Sequence, residues 1–215
     1  MMKIFIAGGT GRVASALIQN LVADGHEVIA GARHPENVVL RENELVTAVK
    51  LDLQADMNDI AEVIGQVDVV YFTAGSRGQD LLQTDAFGAV KTMQAAEKNG
   101  IKRYIMLSSL HALEPDKWHE GGLANIMDYN VAKFFADNYL VNQTTLDYTI
   151  LQPATLTETT GTGKISIGKL SATTNPIADV AAVLATLPTY DQTIKRVIEM
   201  ASGGESIDTA LAQVK

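Results

Sequence analysis

The feature that most limits how this chain can fold lies at its start. Ile4-Phe5-Ile6-Ala7 is a nearly continuous apolar run, the pattern of a strand buried on both faces. It breaks into Gly8-Gly9-Thr10-Gly11, and apolar residues return at Val13, Ala14, Leu17, Ile18, Leu21 and Val22, the spacing of a helix with one buried face. A strand that turns through glycines into a helix is the first half of a crossover unit, which commits the chain to parallel pairing. Later segments keep that rhythm. Strands are expected at Val28–Ala30, Val46–Leu51, Val67–Phe72, Tyr104–Leu107, Tyr148–Leu151 (halted by Pro153) and Thr193–Met200. Helices are expected at Met57–Ile64, Asp85–Asn99, Asp128–Asn142, Ile177–Leu187 and Ser206–Val214, with Gly25 and Gly100 stopping two of the helices.

This alternation predicts an α/β fold: a Rossmann-type, doubly wound parallel β-sheet with helices on both faces. The 215 residues are enough for one such domain, residues 1–215, with a core that needs no disulfide or metal. The least regular stretches, His111–Leu123 and Thr155–Asn175, follow strand carboxyl ends, where open α/β sheets place ligands. Residues 155–175 are expected to add a small substrate-side cap to the C-terminal region.

The glycine turn also carries chemistry. Without Cβ atoms at Gly8 and Gly11 the backbone turns sharply and lets phosphate oxygens approach. The free N–H groups of the following helix, near Thr10, Gly11, Arg12 and Val13, then receive the negative charge. Ala14 fills the third small position of the dinucleotide pattern. An acidic residue at the end of the second strand would hold a free ribose 2′-hydroxyl, but Glu27 begins that strand. The correct end reads Gly31-Ala32-Arg33-His34. Arg33 can fork onto a 2′-phosphate, and Arg12 offers a second positive charge. The expected cofactor is NADP(H) in preference to NAD(H).

Composition removes other classes. A net charge of −8 argues against a nucleic-acid backbone as partner. With no cysteine there is no thiolate nucleophile or disulfide, in keeping with a cytoplasmic protein. No segment approaches the roughly 18 apolar residues of a membrane span. His26, His34, His111 and His119 lack paired ligand spacing and the acids are not expected to cluster with them, so no metal is expected. There is no Gly-x-Ser-x-Gly elbow.

Gly8-Gly9-Thr10-Gly11, Gly31-Ala32-Arg33, Leu51-Asp52-Leu53, Gly88 to Ser109, Leu146 to Pro153 and Ile177-Ala178-Asp179-Val180-Ala181 occur in that order along the chain. In this the sequence resembles the atypical short-chain dehydrogenase/reductases, particularly their NmrA-like and flavin-reductase-like NAD(P)-binding group. The resemblance implies that Asp52 and Leu53 flank the adenine, that Ala74 and Gly75 lie along the cofactor ribose, and that the backbone near Pro153 approaches the nicotinamide.

Asp128–Asn142 contains Tyr129-x-x-x-Lys133, an i, i+4 pair on one helix face. Carbonyl reduction needs a proton donor, and an ammonium beside a phenol stabilises phenolate and eases the exchange. By the family resemblance Lys133 also bonds the nicotinamide ribose. Ser109, at the end of the Tyr104–Leu107 strand, is the expected hydroxyl for the substrate oxygen; Leu110 stands where some extended relatives carry it, and His111 lies near the same pocket. Three functions fit: an NADP(H)-dependent oxidoreductase acting on a small carbonyl or quinone-like substrate, an NADP-sensing regulatory protein of the NmrA-like type, and a sugar epimerase-like enzyme. Phe134, Phe135, Tyr139 and Leu140 form an apolar stripe suited to core packing or to a homodimer interface.

Overall fold

The computed structural model describes residues 1–215. Seven strands form its parallel core: β1 (Lys3–Ala7), β2 (Glu27–Ala32), β3 (Val46–Lys50), β4 (Val69–Phe72), β5 (Arg103–Leu107), β6 (Asp147–Pro153) and, late in the chain, β10 (Arg196–Ser202). They are ordered β3-β2-β1-β4-β5-β6-β10, with every neighbouring pair parallel. The chain winds outward from β1 to β3, then returns to β4 on the other side of β1. That reversal opens a crevice above the carboxyl ends of β1 and β4.

The sheet is doubly wound because its strands are apolar on both faces. In β1 the buried side chains alternate, Ile4 and Ile6 entering one core layer and Phe5 and Ala7 the other. The first layer is closed by α1 (Arg12–Ala23), α5 (Ile177–Thr186) and α6 (Ile207–Ala212) through residues such as Leu17, Ile18, Val180, Leu184 and Leu211. The second is closed by α2 (Met57–Ile64), α3 (Ala89–Lys98) and α4 (Met127–Gln143) through Ile60, Ile64, Met93, Ala96, Ala136 and Leu140. Burying a large side chain such as Leu17 or Met93 is worth roughly 1.5–3 kcal/mol, so these two layers supply the main drive to fold.

Several boundaries differ from expectation for local reasons. The helix expected from Asp85 begins earlier, as a π-helical stretch over Leu81–Gly88 that runs into α3. The last long strand starts at Arg196 rather than Thr193, because Asp191–Thr193 makes a 3-10 turn whose Thr193 hydroxyl bonds the Tyr190 carbonyl. The final helix spans only Ile207–Ala212, started by Ser206 as its N-cap.

The stretch 155–175 has more order than its sequence suggested. β7 (Thr155–Thr157) and β9 (Thr174–Pro176) form a small parallel pair, while β8 (Lys164–Ile167) joins the main sheet antiparallel to β10 and carries β11 (Glu205–Ser206) on its outer side. The sheet is thus parallel with an antiparallel edge, and part of the expected cap belongs to that edge. Tyr139 bonds Gln94 and Leu140 is buried, while Phe135 is exposed. No helix is long and apolar enough to cross a membrane.

Candidate active-site cleft

The crevice at the sheet reversal opens into a cleft of about 910 Å³. Its floor is built by the turn from β1 to α1. Gly8 has φ +95, and a Cβ there would lie 2.6 Å from both N and Cα of Ala74, so only glycine lets this turn touch the end of β4. The Gly8 and Gly9 N–H groups both donate to the Gly31 carbonyl, tying the turn to β2 as well. Helix α1 starts at Gly11 with no side-chain cap and no acid in its first turn. Its first internal bond is Ser15 N–H to the Gly11 carbonyl, which leaves the amides of Arg12, Val13 and Ala14 without a helical acceptor. Gly11, Arg12 and Val13 line the cleft. A bare helix start on a concave surface is the chemistry a diphosphate requires, so the residues present fit a dinucleotide.

Ala74 and Gly75, Ser109, Tyr129, Lys133 and Pro153 line the same cleft, so the fold gathers them with the glycine turn. Gly8, Thr10, Arg33, Asp52 and Leu53 do not line it. Gly8 lies half-buried at the Ala74 contact, and Thr10 is exposed at the tip of the turn. Arg33 is exposed just past the carboxyl end of β2, close enough to Asp80 to lower that carboxyl, whose larger influences are hydrogen bonds from Thr84 and Gln54. Asp52 is exposed and accepts from the Gln54 N–H. Leu53 is buried in the second core layer. Glu27 opens β2 opposite Lys3, at the end of the sheet away from the cleft.

The end of β5 presents two serines with different jobs. Ser108 is buried and donates to Asp137 Oδ2 at 2.7 Å, whereas Ser109 is half-buried on the cleft with its hydroxyl uncommitted. Lys133 is 2% exposed; its ammonium donates to the Leu107 carbonyl at 3.0 Å and lies 5.8 Å from the Tyr129 ring centroid and 5.7 Å from that of Phe72. The ammonium therefore stands over the tyrosine ring and is held by the main chain at the end of β5.

Two buried carboxylates complete the surroundings, and the sequence reading passed over both. Asp137 lies one turn beyond Lys133 on α4 and accepts from Ser108 and from Gln152 Nε2, while its Oδ1 has no partner. Burial pushes its pKa up to about 6, against the lowering pull of the Ser108 bond and the Lys133 charge. Asp85, in the π-helical stretch, accepts from the Ser76 N–H and lines the cleft with Oδ1 unpaired. Its i, i+3 relation to Gly88 carried no signal, but the spacing of Asp137 four residues after Lys133 was a readable one.

The expectation that no acids gather around a histidine is corrected. His111 Nδ1 lies 2.8 Å from Glu114 Oε1 and 2.6 Å from Glu199 Oε1. One ligand atom from each residue falls within 4.8 Å of the others, a grouping also suited to a metal ion. Glu199 comes from β10, 88 residues away, so only the fold brings it there. Lys117 bonds Glu114 at 2.9 Å, and this bond, with that from His111, holds the Glu114 carboxyl down at about 2. Burial and the nearby Glu114 push Glu199 up. His111 itself lines the cleft.

Comparison with known proteins agrees with this geometry. Residues 8–190 match a family model described as NAD(P)H-binding. UPF0659 protein YMR090W of Saccharomyces cerevisiae is 33% identical over 96% of each chain. An uncharacterized sugar epimerase of Bacillus subtilis, YhfK, is 35% identical over 78% of each. The crystal structure of the oxidoreductase ylbE from Lactococcus lactis superposes with a TM-score of 0.95 at 42% identity, covering 99% of this chain and 96% of that one.

Proposed function

The chain belongs to the NAD(P)H-binding family, and from that premise we propose that it is an NADP(H)-dependent oxidoreductase acting on a small apolar carbonyl or quinone-like compound. The observation that carries this reading is the meeting, in one cleft, of the uncapped start of α1 with Tyr129, Lys133 and Ser109. A nicotinamide supplies hydride to such a substrate. The chain's own part is to bind, orient and donate. The amides of Arg12 and Val13 hold the diphosphate, and Arg33 offers a guanidinium for the 2′-phosphate. Lys133, fixed by the Leu107 carbonyl and standing over the Tyr129 ring, would hold the nicotinamide ribose. Tyr129 gives its hydroxyl proton to the substrate oxygen while Ser109 hydrogen-bonds the same oxygen.

The name carried by the Bacillus subtilis relative favours a second reading, an epimerase that uses the same chemistry without net redox change. One assay separates them. Purified protein with NADPH and a panel of apolar ketones, diones and quinones is expected to consume NADPH in proportion to reduced product. Tyr129→Phe is expected to lower kcat by at least about a hundredfold, the scale of a lost general acid, with NADPH affinity within twofold of the parent. Inversion of a sugar carbinol by protein loaded with NADP+, without net formation of NADPH, would decide for the epimerase, and undiminished reduction by Tyr129→Phe would remove the tyrosine from the chemistry. Tight NADPH binding without turnover of any panel member would return the protein to the sensing role.

A further inference from the structure

His111 stands in the cleft in a way that neither cofactor binding nor the Tyr129 proton explains. It follows Ser109 and Leu110 at the exit of β5 with φ +58, a left-handed backbone that costs a non-glycine residue roughly 1–2 kcal/mol. The position is pinned from two sides. The Trp118 indole N–H and the Glu114 N–H both donate to the His111 carbonyl, and Trp118 is itself buried. The ring is pinned as well. Both Glu114 and Glu199 meet Nδ1, and no protein atom bonds Nε2. An imidazole held at one nitrogen by carboxylate has a fixed ring orientation and presents its other nitrogen to whatever enters.

What enters is constrained by the rest of that wall. The segments after β5 and β6 and before α4 and β9 contribute Leu110, Leu123, Ile126, Leu156 and Leu170 to the cleft. Beside these apolar side chains the cleft offers two polar positions, one at Ser109 and Tyr129 and the other at His111, with Thr155 and Thr173 also on its lining. We infer that His111 is a catalytic residue that donates a hydrogen bond from Nε2 to a second oxygen of the substrate, and that the substrate is an apolar dicarbonyl or quinone. This rests on the oxidoreductase reading above and narrows it. Glu114 and Glu199 fix the ring at Nδ1, and Lys117 in turn bonds Glu114. No bond is made or broken by His111. It draws electron density toward the second oxygen, which makes the neighbouring carbonyl a better hydride acceptor, as a fixed donor does at any developing oxyanion.

His111→Asn is the informative substitution. Asparagine tolerates the left-handed backbone, and its amide N–H can replace Nδ1–H toward the glutamates while nothing replaces Nε2. The probes are 1-phenyl-1,2-propanedione and propiophenone, which share a carbon skeleton and differ by the second oxygen. In the presence of NADPH, His111→Asn is expected to lower kcat/KM for the dione at least tenfold more than for propiophenone, with NADPH affinity within twofold of the parent. Glu199→Gln is expected to give a smaller loss in the same direction. Equal losses on both probes, or none on the dione, would overturn the inference. If the parent protein reduces neither probe, the oxidoreductase reading is decided by the wider panel, and His111 is judged separately by NMR of histidine-labelled protein saturated with NADP+. There the His111 Nε2 signal, assigned by its absence from His111→Asn, shifts on addition of the dione and not of propiophenone. A signal that stays still with both sinks the inference.

Discussion

The two arginines expected to meet an extra phosphate are placed differently. Arg12 bonds Glu158 at 2.6 Å across the end of α1, so its guanidinium is already engaged by a carboxylate. Arg33, at the end of β2, has no ion pair and shares only the field of Asp80. The proposed preference for NADP(H) therefore rests on Arg33. Arg33→Ala is expected to weaken NADPH by about 1.5–3 kcal/mol, the scale of a hydrogen bond to a charged group, and to leave NADH nearly unchanged, as read by fluorescence titration of both. Equal weakening of the two would show that the guanidinium serves the diphosphate instead. At this scale the sequence was legible where partners are close along the chain. Gly8, Gly11, Tyr129 and Lys133 reveal themselves by local spacing, because the backbone period alone brings them together. His111 and Glu199 are joined only through the order of β5, β6 and β10, which no spacing encodes. Leu53, beside the exposed Asp52 in sequence, turns into the core, which no local spacing announces.

Helix α4 carries the densest chemistry of any element. Tyr129 and Lys133 lie on the cleft and Asp137 follows one turn on, buried between Ser108, just past β5, and Gln152 of β6. The sign of its contribution to stability follows from its raised pKa. In the unfolded chain Asp137 titrates near 3.8, in the folded protein near 6. Below about pH 4 both states are protonated and folding carries no penalty. Between 4 and 6 the unfolded state ionises first, so stability falls as pH rises, and above 6 the full cost remains, about 3 kcal/mol for a shift of this size. Asp137→Asn keeps the shape without the charge. Chemical denaturation is expected to show the variant gaining about 1–3 kcal/mol on the parent between pH 4 and 6 and holding that gain to pH 8. A difference that is flat across this range would mean the carboxyl is not carrying the strain of burial. Element boundaries show the same division between legible and hidden causes. The strong helical and strand periods placed the parallel core correctly, while β8 was missed because Ile165 and Ile167 are only two alternating residues in a polar stretch.

For the whole molecule, the site depends on two halves of the sheet meeting at β1 and β4, with the glycine turn wedged against Ala74. A ligand that bridges this seam holds the halves together, so its binding energy adds to global stability by mass action. NADPH at about 100 times its Kd is expected to add about 2.7 kcal/mol. For a chain of this length each kcal/mol is worth about 2–4 °C in Tm, so the melting midpoint is expected to rise by roughly 5–11 °C. Gly8→Ala tests whether the seam is the place. Its methyl group would lie 2.6 Å from the Ala74 backbone at φ +95, so the turn must pull away from β4 and carry the amides of Arg12 and Val13 with it. The variant should melt lower than the parent and, separately, show little further rise with NADPH. The second effect is the diagnostic one, since a lower midpoint alone reports only backbone strain. A Gly8→Ala protein that melts early yet gains the full NADPH increment would place the dinucleotide somewhere other than the start of α1, whatever the chemistry at Tyr129.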